Sequence, residues 1–337
     1  MKKSPVFAIL TALSATAPLG CGDSGSNLVR LDDAPLVEIA EKSSETTPTQ
    51  AESPTSPAET PLVNADEKTP EVATPAPAPL PKFDALIASG AKIDKSGKSL
   101  DLTAVESFSG FDVDADAERW SAVKVVRGKG ELPPEALRAF AKLPNLTEFL
   151  WSDAVIAVAP DADAAFAEFA KSPNLKKLRL TGLRTTAEKF PVAALTALAQ
   201  TSQLVDLDVS GAPLTAADLA AVDWKTGFAK LTKLNLYQTQ AGDAGVDALL
   251  PLTDRLTSLN LDDAQIGPES AAKIAQFTEL TFLHVGRSTL DDASIAEFAK
   301  LGKLAKIHVT RSKATEAGAD ALRAALPNCE VVSQPEN

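Results

Sequence analysis

Along the C-terminal two-thirds of the chain, apolar residues return in one phrase, L-x-x-L-x-L. Its first place is taken by Leu146, Leu175, Leu204, Leu231, Leu256, Leu280 and Leu304. The fourth and sixth places are Phe149/Trp151, Leu178/Leu180, Leu207/Val209, Leu234/Leu236, Leu259/Leu261, Leu283/Val285 and Ile307/Val309. Successive starts differ by 29, 29, 27, 25, 24 and 24 residues. Alternation with a period of two predicts a short strand with one buried face. Trp120 with Val123 and Val125 extends the series upstream, and "LPNCEVV" begins a further turn that the terminus cuts short.

The second half of each unit changes rhythm. "ALRAFAKLPNL", "AFAEFAKSPNL", "ALTALAQTSQL", "SAAKIAQFTEL" and "SIAEFAKLGKL" space apolar residues at i, i+3 with alanines between, which predicts short amphipathic helices. Thr215, Asp243 and Asp292 stand where N-caps would, and Pro268 suits a first helical turn. Neither the strand nor the helix of a unit can bury its apolar face alone, so successive units must stack into one continuous interior. A stack needs sealed ends. "FDALIASGAKIDKSGKSLDL" reads as an N-terminal cap: a helix from about Phe83, a turn at Gly97, and an edge strand through Leu100 and Leu102.

These phrases resemble the leucine-rich-repeat family, particularly its ribonuclease-inhibitor-like and cysteine-containing variants, over roughly residues 97 to 333. The resemblance implies an α/β solenoid: a curved parallel sheet on the concave side, short helices on the convex side, and partners bound on the concave face. One family feature is absent. Where the family often has Asn or Cys, three places after the sixth, this chain has Ala212, Thr239, Ala264, Ser288 and Ser312. Water or neighbouring backbone is then expected to satisfy the turning chain, in a slightly looser solenoid.

Composition divides the remainder. Residues 1–21 carry two lysines, an apolar run from Val6 to Leu13 and then small residues, the layout of a bacterial export signal; the run is too short to span a bilayer. The ending "PLGC" resembles a lipoprotein lipobox, with Pro18 where leucine is usual. That resemblance implies acylation of Cys21 and a membrane-anchored, cell-envelope protein; the alternative is a soluble periplasmic or secreted one. Residues 22–82 hold ten prolines and no aromatics, with eleven acidic against four basic side chains. Such a segment cannot bury enough apolar surface to order itself, and reads as a disordered tether spanning about 45 Å. A cap over 83–119, repeats over 120–333 and a tail at 334–337 complete the organisation. With Cys21 acylated, Cys329 has no disulfide partner and reads as a buried structural thiol.

The chain is acidic, with a formal charge of −12, and its repeats stay acidic without the tether. No basic stripe with interleaved aromatics appears, so nucleic acid is not an expected partner. Nor is there a G-x-S-x-G, an H-E-x-x-H or a phosphate-cradling glycine loop, and the expectation is a non-enzymatic chain without cofactors. What remains is the exposed strand face. Places three, five and seven point outward, which gives a fifth-place column of Lys124, Leu150, Arg179, Asp208, Asn235, Asn260, His284 and His308. Val126, Ser152, Thr181, Ser210, Tyr237, Asp262, Gly286 and Thr310 fill the seventh, and Phe282 lies in the third.

Arg179, Asp208, Asn235, Tyr237, Asn260, Asp262, Phe282, His284 and His308 are therefore the candidate contacts for a protein or peptide. Tyr237 and Phe282 are the expected exposed anchors, the alternative being packing between strands. Trp120 and Trp151 fall in core slots, while Trp224 covers a helix end or marks a second contact. On strands about 4.8 Å apart His284 and His308 stand side by side, with Asp262 within diagonal reach. Spacing fixes no third ligand, so no metal is assigned; a pH-sensitive pair, one imidazole depressed by the other's charge, is the other chemical reading. Against the recognition module stands a structural envelope spacer that binds nothing strongly.

Overall fold

The structure is a computed structural model and describes residues 83–105, 108, 117–156 and 160–333. The export signal with Cys21, the tether over 22–82 and the tail at 334–337 lie outside the described residues.

The chain opens with α1 (Phe83–Ala88), β1 (Lys92–Ile93) and β2 (Ser99–Asp101). β1 pairs antiparallel with β2, and β2 runs parallel to its other neighbour. The edge of the sheet is thus β1, correcting the expectation that the strand through Leu100 would form it. The Asp94 carboxylate accepts the Lys98 and Ser99 N–H groups at 2.8 and 2.9 Å, and Gly97 turns with φ +70°, which folds two residues back onto the strand. A strand of two residues leaves no periodic trace in a sequence.

Strand and helix then alternate: α2 (Ala117–Ser121), β3 (Val125–Glu131), α3 (Pro134–Ala141), β4 (Glu148–Ile156), α4 (Pro160–Phe169), β5 (Lys177–Leu180), β6 (Arg184–Thr185) and α5 (Val192–Leu198). They continue as β7 (Asp206–Asp208), α6 (Ala216–Ala220), β8 (Lys233–Asn235), α7 (Gly242–Leu249), β9 (Ser258–Asn260) and α8 (Pro268–Ile274). The last are β10 (Phe282–His284), α9 (Asp292–Ala296), β11 (Lys306–His308), α10 (Glu316–Ala325) and β12 (Glu330–Val332). Twelve strands form one sheet in sequence order, parallel from β2 onward, with only β6 off the path, paired to β4.

Register decides the architecture. Leu100, Val126, Phe149, Leu178, Leu207, Leu234, Leu259, Leu283, Ile307 and Val331 face one another across successive strands. All ten are buried in one hydrophobic cluster that runs the length of the described chain. Each such aliphatic contributes roughly 1.5–3 kcal/mol. The fold is a leucine-rich-repeat solenoid.

The first full unit departs from the expected frame. Val126 pairs with Phe149 and Gly128 with Trp151, so Val123, Val126 and Gly128 hold places one, four and six. Val126 is therefore core rather than a seventh-place surface residue, Lys124 leaves the fifth place, and exposed Arg127 takes it. Trp120 lies buried in α2, not in a strand slot. The cause is a large-for-small exchange: a Cβ on Gly128 would run into the Trp151 indole, which fills both sixth places at once. Trp151 stacks on Phe149 at 5.4 Å, meets Phe140 and Phe108, and donates Nε1–H to the Gly130 carbonyl at 3.0 Å.

Caps and turns follow local chemistry. Thr215 caps α6 in a full capping box with Asp218. Asp243 and Asp292 are not caps; Ala241 and Asp291 hold those positions. Each aspartate instead reaches the next unit. Asp243 accepts the Gly267 N–H at 2.7 Å and the Ser270 hydroxyl, while Asp292 accepts the Thr315 N–H and hydroxyl at 2.6 and 2.7 Å. Where asparagine is missing, hydroxyls do the work: Thr239, Ser288 and Ser312 donate to the carbonyls of Leu236, Val285 and Val309 at 2.7, 2.7 and 2.8 Å. The expected backbone substitute occurs at the alanines, where Ala212 and Ala264 N–H groups reach Val209 and Leu261.

Trp224 is buried and donates to the Leu219 carbonyl at 2.8 Å, so it covers the end of α6 and is not a surface contact. At the far edge, Arg323 of α10 donates to the Val331 carbonyl at 3.2 Å and the Ser333 hydroxyl oxygen at 2.7 Å, occupying the outer side of β12. Cys329 is half-buried rather than buried, and burial pushes its thiol pKa up.

Candidate interaction surface

The outward strand residues form two regions of different chemistry. In the early one, charges cancel between neighbouring strands. Lys177 lies 3.8 Å from Asp206, and Arg179 of β5 donates Nε–H to Asp208 of β7 at 3.0 Å. Asp208 is buried, and its other oxygen accepts the Ser210 N–H at 3.0 Å. Asn235 and Asn260 do the same for the Tyr237 and Asp262 N–H groups, each at 3.0 Å. The fifth-place Asp and Asn side chains thus close the strand ends by local side-chain-to-backbone bonds. Three of the nine candidate contacts carry this structural task as well, an assignment that spacing alone did not suggest.

The later region gathers aromatic and polar groups. Register sets His284 beside His308, with ring centroids 4.6 Å apart, and Phe282 packs 5.8 Å from the His308 ring. Tyr237 and Phe282 are half-buried rather than exposed, because each is covered by a neighbour. The neighbour of Tyr237 is Arg287, whose guanidinium lies 5.0 Å from the ring centroid, a cation–π contact. The same guanidinium bonds one oxygen of Asp262, whose side chain is only 7% exposed.

Arg287 had no place among the candidates. It stands at the eighth place, four residues before the Asp291 cap of α9, where the chain takes a left-handed turn in unit after unit: Asp153, Gly182, Gly211, Gln238, Asp263, Arg287 and Arg311 all have φ between 46° and 70°. At Arg287 that turn brings the side chain back over Tyr237 and Asp262. Glycine at two of these positions was the available signal, and the other five residues hid it.

Burial is the main cause that holds the His284 pKa below its ordinary 6.5; Asp262 pulls the other way, and His308 and Arg287 reinforce the depression. His308 is depressed by burial first, then by Lys306, against Glu330 and Asp262. The expectation that mutual repulsion is the chief cause is corrected: desolvation leads in both. Because both folded pKa values lie below 6.5, the unfolded chain takes up protons first as pH falls. Stability from this pair is complete above 6.5 and is lost as pH drops through the lowered folded values. Thermal melts in chelator should show a lower Tm at pH 5.5 than at 7.5, and a smaller difference in His284→Gln/His308→Gln.

No protein-family model matches the chain, and no curated protein does so in sequence. Among solved structures it is similar to internalin C2 of Listeria monocytogenes str. 4b F2365, with 18% identity and a TM-score of 0.45, over 64% of this chain and 83% of that one. It is also similar to a leucine-rich-repeat protein of Leptospira interrogans, with 20% identity and a TM-score of 0.45, over 70% of this chain and 60% of the other. That second match therefore spans less than two thirds of the Leptospira chain. Among the described residues no helix is long and apolar enough to cross a membrane.

Proposed function

We propose that the chain is a non-enzymatic recognition module of the cell envelope. Acyl chains on Cys21 hold it to a membrane, residues 22–82 lift it clear, and a protein or peptide partner binds the later concave region. One observation carries the choice of region. The early outward charges are spent on one another in the Lys177–Asp206 and Arg179–Asp208 pairs, whereas Tyr237, Phe282, Arg287 and the two histidines crowd together half-buried. Tyrosine and arginine in a semi-enclosed setting are the side chains on which binding energy concentrates. The non-enzymatic reading is supported by the absence, from the whole sequence, of the nucleophile and metalloprotease motifs sought above.

The test compares variants in cross-linking capture from envelope extract. Tyr237→Ala/Phe282→Ala should lose the partner band seen with wild type while keeping its circular dichroism spectrum, and Arg179→Ala should retain the band. Equal capture by all three would end the reading. Anchoring is tested separately: incorporation of labelled palmitate should vanish in Cys21→Ala, and its persistence would show that Cys21 is not the modified residue.

A further inference from the structure

We propose that Asp262 and His284, with His308 beside them, form a binding site for one divalent transition-metal ion of zinc-like preference. The inference stands on side-chain geometry and needs no partner protein.

Three polar atoms at this point of the sheet are shielded from solvent and have no hydrogen-bond partner in the chain: Asp262 Oδ1, His284 Nε2 and Arg287 Nε. Buried orphans of this kind are uncommon and call for a reason. Asp262 is the most enclosed of the three side chains at 7% exposure, and its other oxygen is already held by Arg287. The free oxygen, Oδ1, faces His284 Nε2 at 3.7 Å.

That separation discriminates between explanations. A direct N–H···O bond would bring the two atoms to about 2.9 Å. A water bonded to both at about 2.8 Å would hold them roughly 4.4 Å apart. Two ligands of one tetrahedral metal, each at about 2.1 Å, stand about 3.4 Å from each other. The observed distance is nearest the third case.

The surroundings agree. Gly286 sits on the strand end between Asp262 and Thr310, and a Cβ there would lie 2.8 Å from Asp262 Oδ1, the Thr310 carbonyl and the Thr310 hydroxyl. Glycine therefore lets the free carboxylate oxygen and Thr310 pack closely against the strand end. Arg287 on the second oxygen acts as the outer partner that fixes a ligating carboxylate.

In the described residues no three His, Cys, Asp or Glu side chains already converge on one point. The third ligand is His308, whose ring centre is 4.6 Å from that of His284, brought in by side-chain rotation, and water completes the shell. An imidazole–carboxylate set of this composition suits zinc over calcium or magnesium. The positive charge of Arg287 beside the carboxylate, together with the rotation required, lowers the affinity below that of a preformed three-ligand site.

Isothermal titration of zinc into the full chain at pH 7.5 should show one saturable equivalent, with calcium giving none. His284→Gln and His308→Gln should each weaken zinc at least tenfold, and lowering the pH to 5.5 should do the same to wild type. Gly286→Ala, whose Cβ would crowd Asp262 Oδ1 and push on Thr310 of the neighbouring strand, should weaken zinc as well. Arg179→Ala, on the early strands, should bind zinc like wild type, and the titration contains no partner protein, which separates this site from partner capture. Absence of a saturable equivalent, or equal zinc affinity in wild type and both histidine variants, would overturn the proposal. Folding of each variant is checked by circular dichroism, and a variant that unfolds is replaced by His284→Asn or His308→Asn, for which the same two outcomes decide.

Discussion

Gly128→Leu, a substitution that writes the repeat's usual residue into the sixth place of its first full unit, is expected to destabilise the protein by about 2–3 kcal/mol. The leucine would have to occupy the volume of the Trp151 indole, which already reaches across from the neighbouring strand. Trp151→Ala should cost more, about 3–5 kcal/mol, because it empties a fully buried site ringed by Phe108, Phe140 and Phe149 and leaves the Gly130 carbonyl without its donor. The two positions are a single packing unit, so Gly128→Leu/Trp151→Leu should be more stable than the sum of its single changes implies. Urea unfolding followed by circular dichroism measures all of these. Additive losses in the double variant would show that the exchange of a large residue for a small one is not what governs this part of the core.

Asp262→Ala is expected to cost about 2 kcal/mol, less than the roughly 3–5 kcal/mol of breaking a fully buried ion pair, since the Arg287 side chain keeps 32% exposure and can still reach water. The loss comes from two sources. Arg287 loses its counter-charge while still lying over Tyr237, and the strand end loses a side chain packed against Gly286. Asp262→Ala/Arg287→Met should recover a large part of the stability, because the cationic partner then no longer lies there unpaired. If the double variant is no more stable than Asp262→Ala, packing of the carboxylate, not its charge, is the term that counts.

The stack was legible because aliphatic side chains at places one, four and six must all enter one interior, and from Leu146 onward every slot fixed by that rule is buried where expected. The same rule misled at the first unit. Gly128 has no side chain to signal a core slot, and Trp151, which substitutes for it, sits on the next strand and was read as an ordinary occupant of its own place. On the outward face, spacing identified which residues share a column, and register bears out the adjacency of His284 and His308. It could not show which of them are already engaged. Asp208, Asn235 and Asn260 bond the backbone two residues on, a local geometry that depends on side-chain rotamer rather than on period. Arg287 was hidden for a different reason: its approach depends on a left-handed backbone at the eighth place, a conformation that arginine rarely advertises.

The two ends of the sheet are sealed by different parts: the β1 hairpin closed by Asp94 at one side, and at the other the Arg323 side chain, from the helix of the last unit, over β12. Between them each unit touches the next through the same leucine column and, in the later half, through aspartates reaching forward. Length is therefore a free variable of this design. A duplication or deletion of one whole interior unit would leave both closures intact and alter only the arc, so chains of the same kind can differ in the number of turns without exposing a raw edge to aggregation.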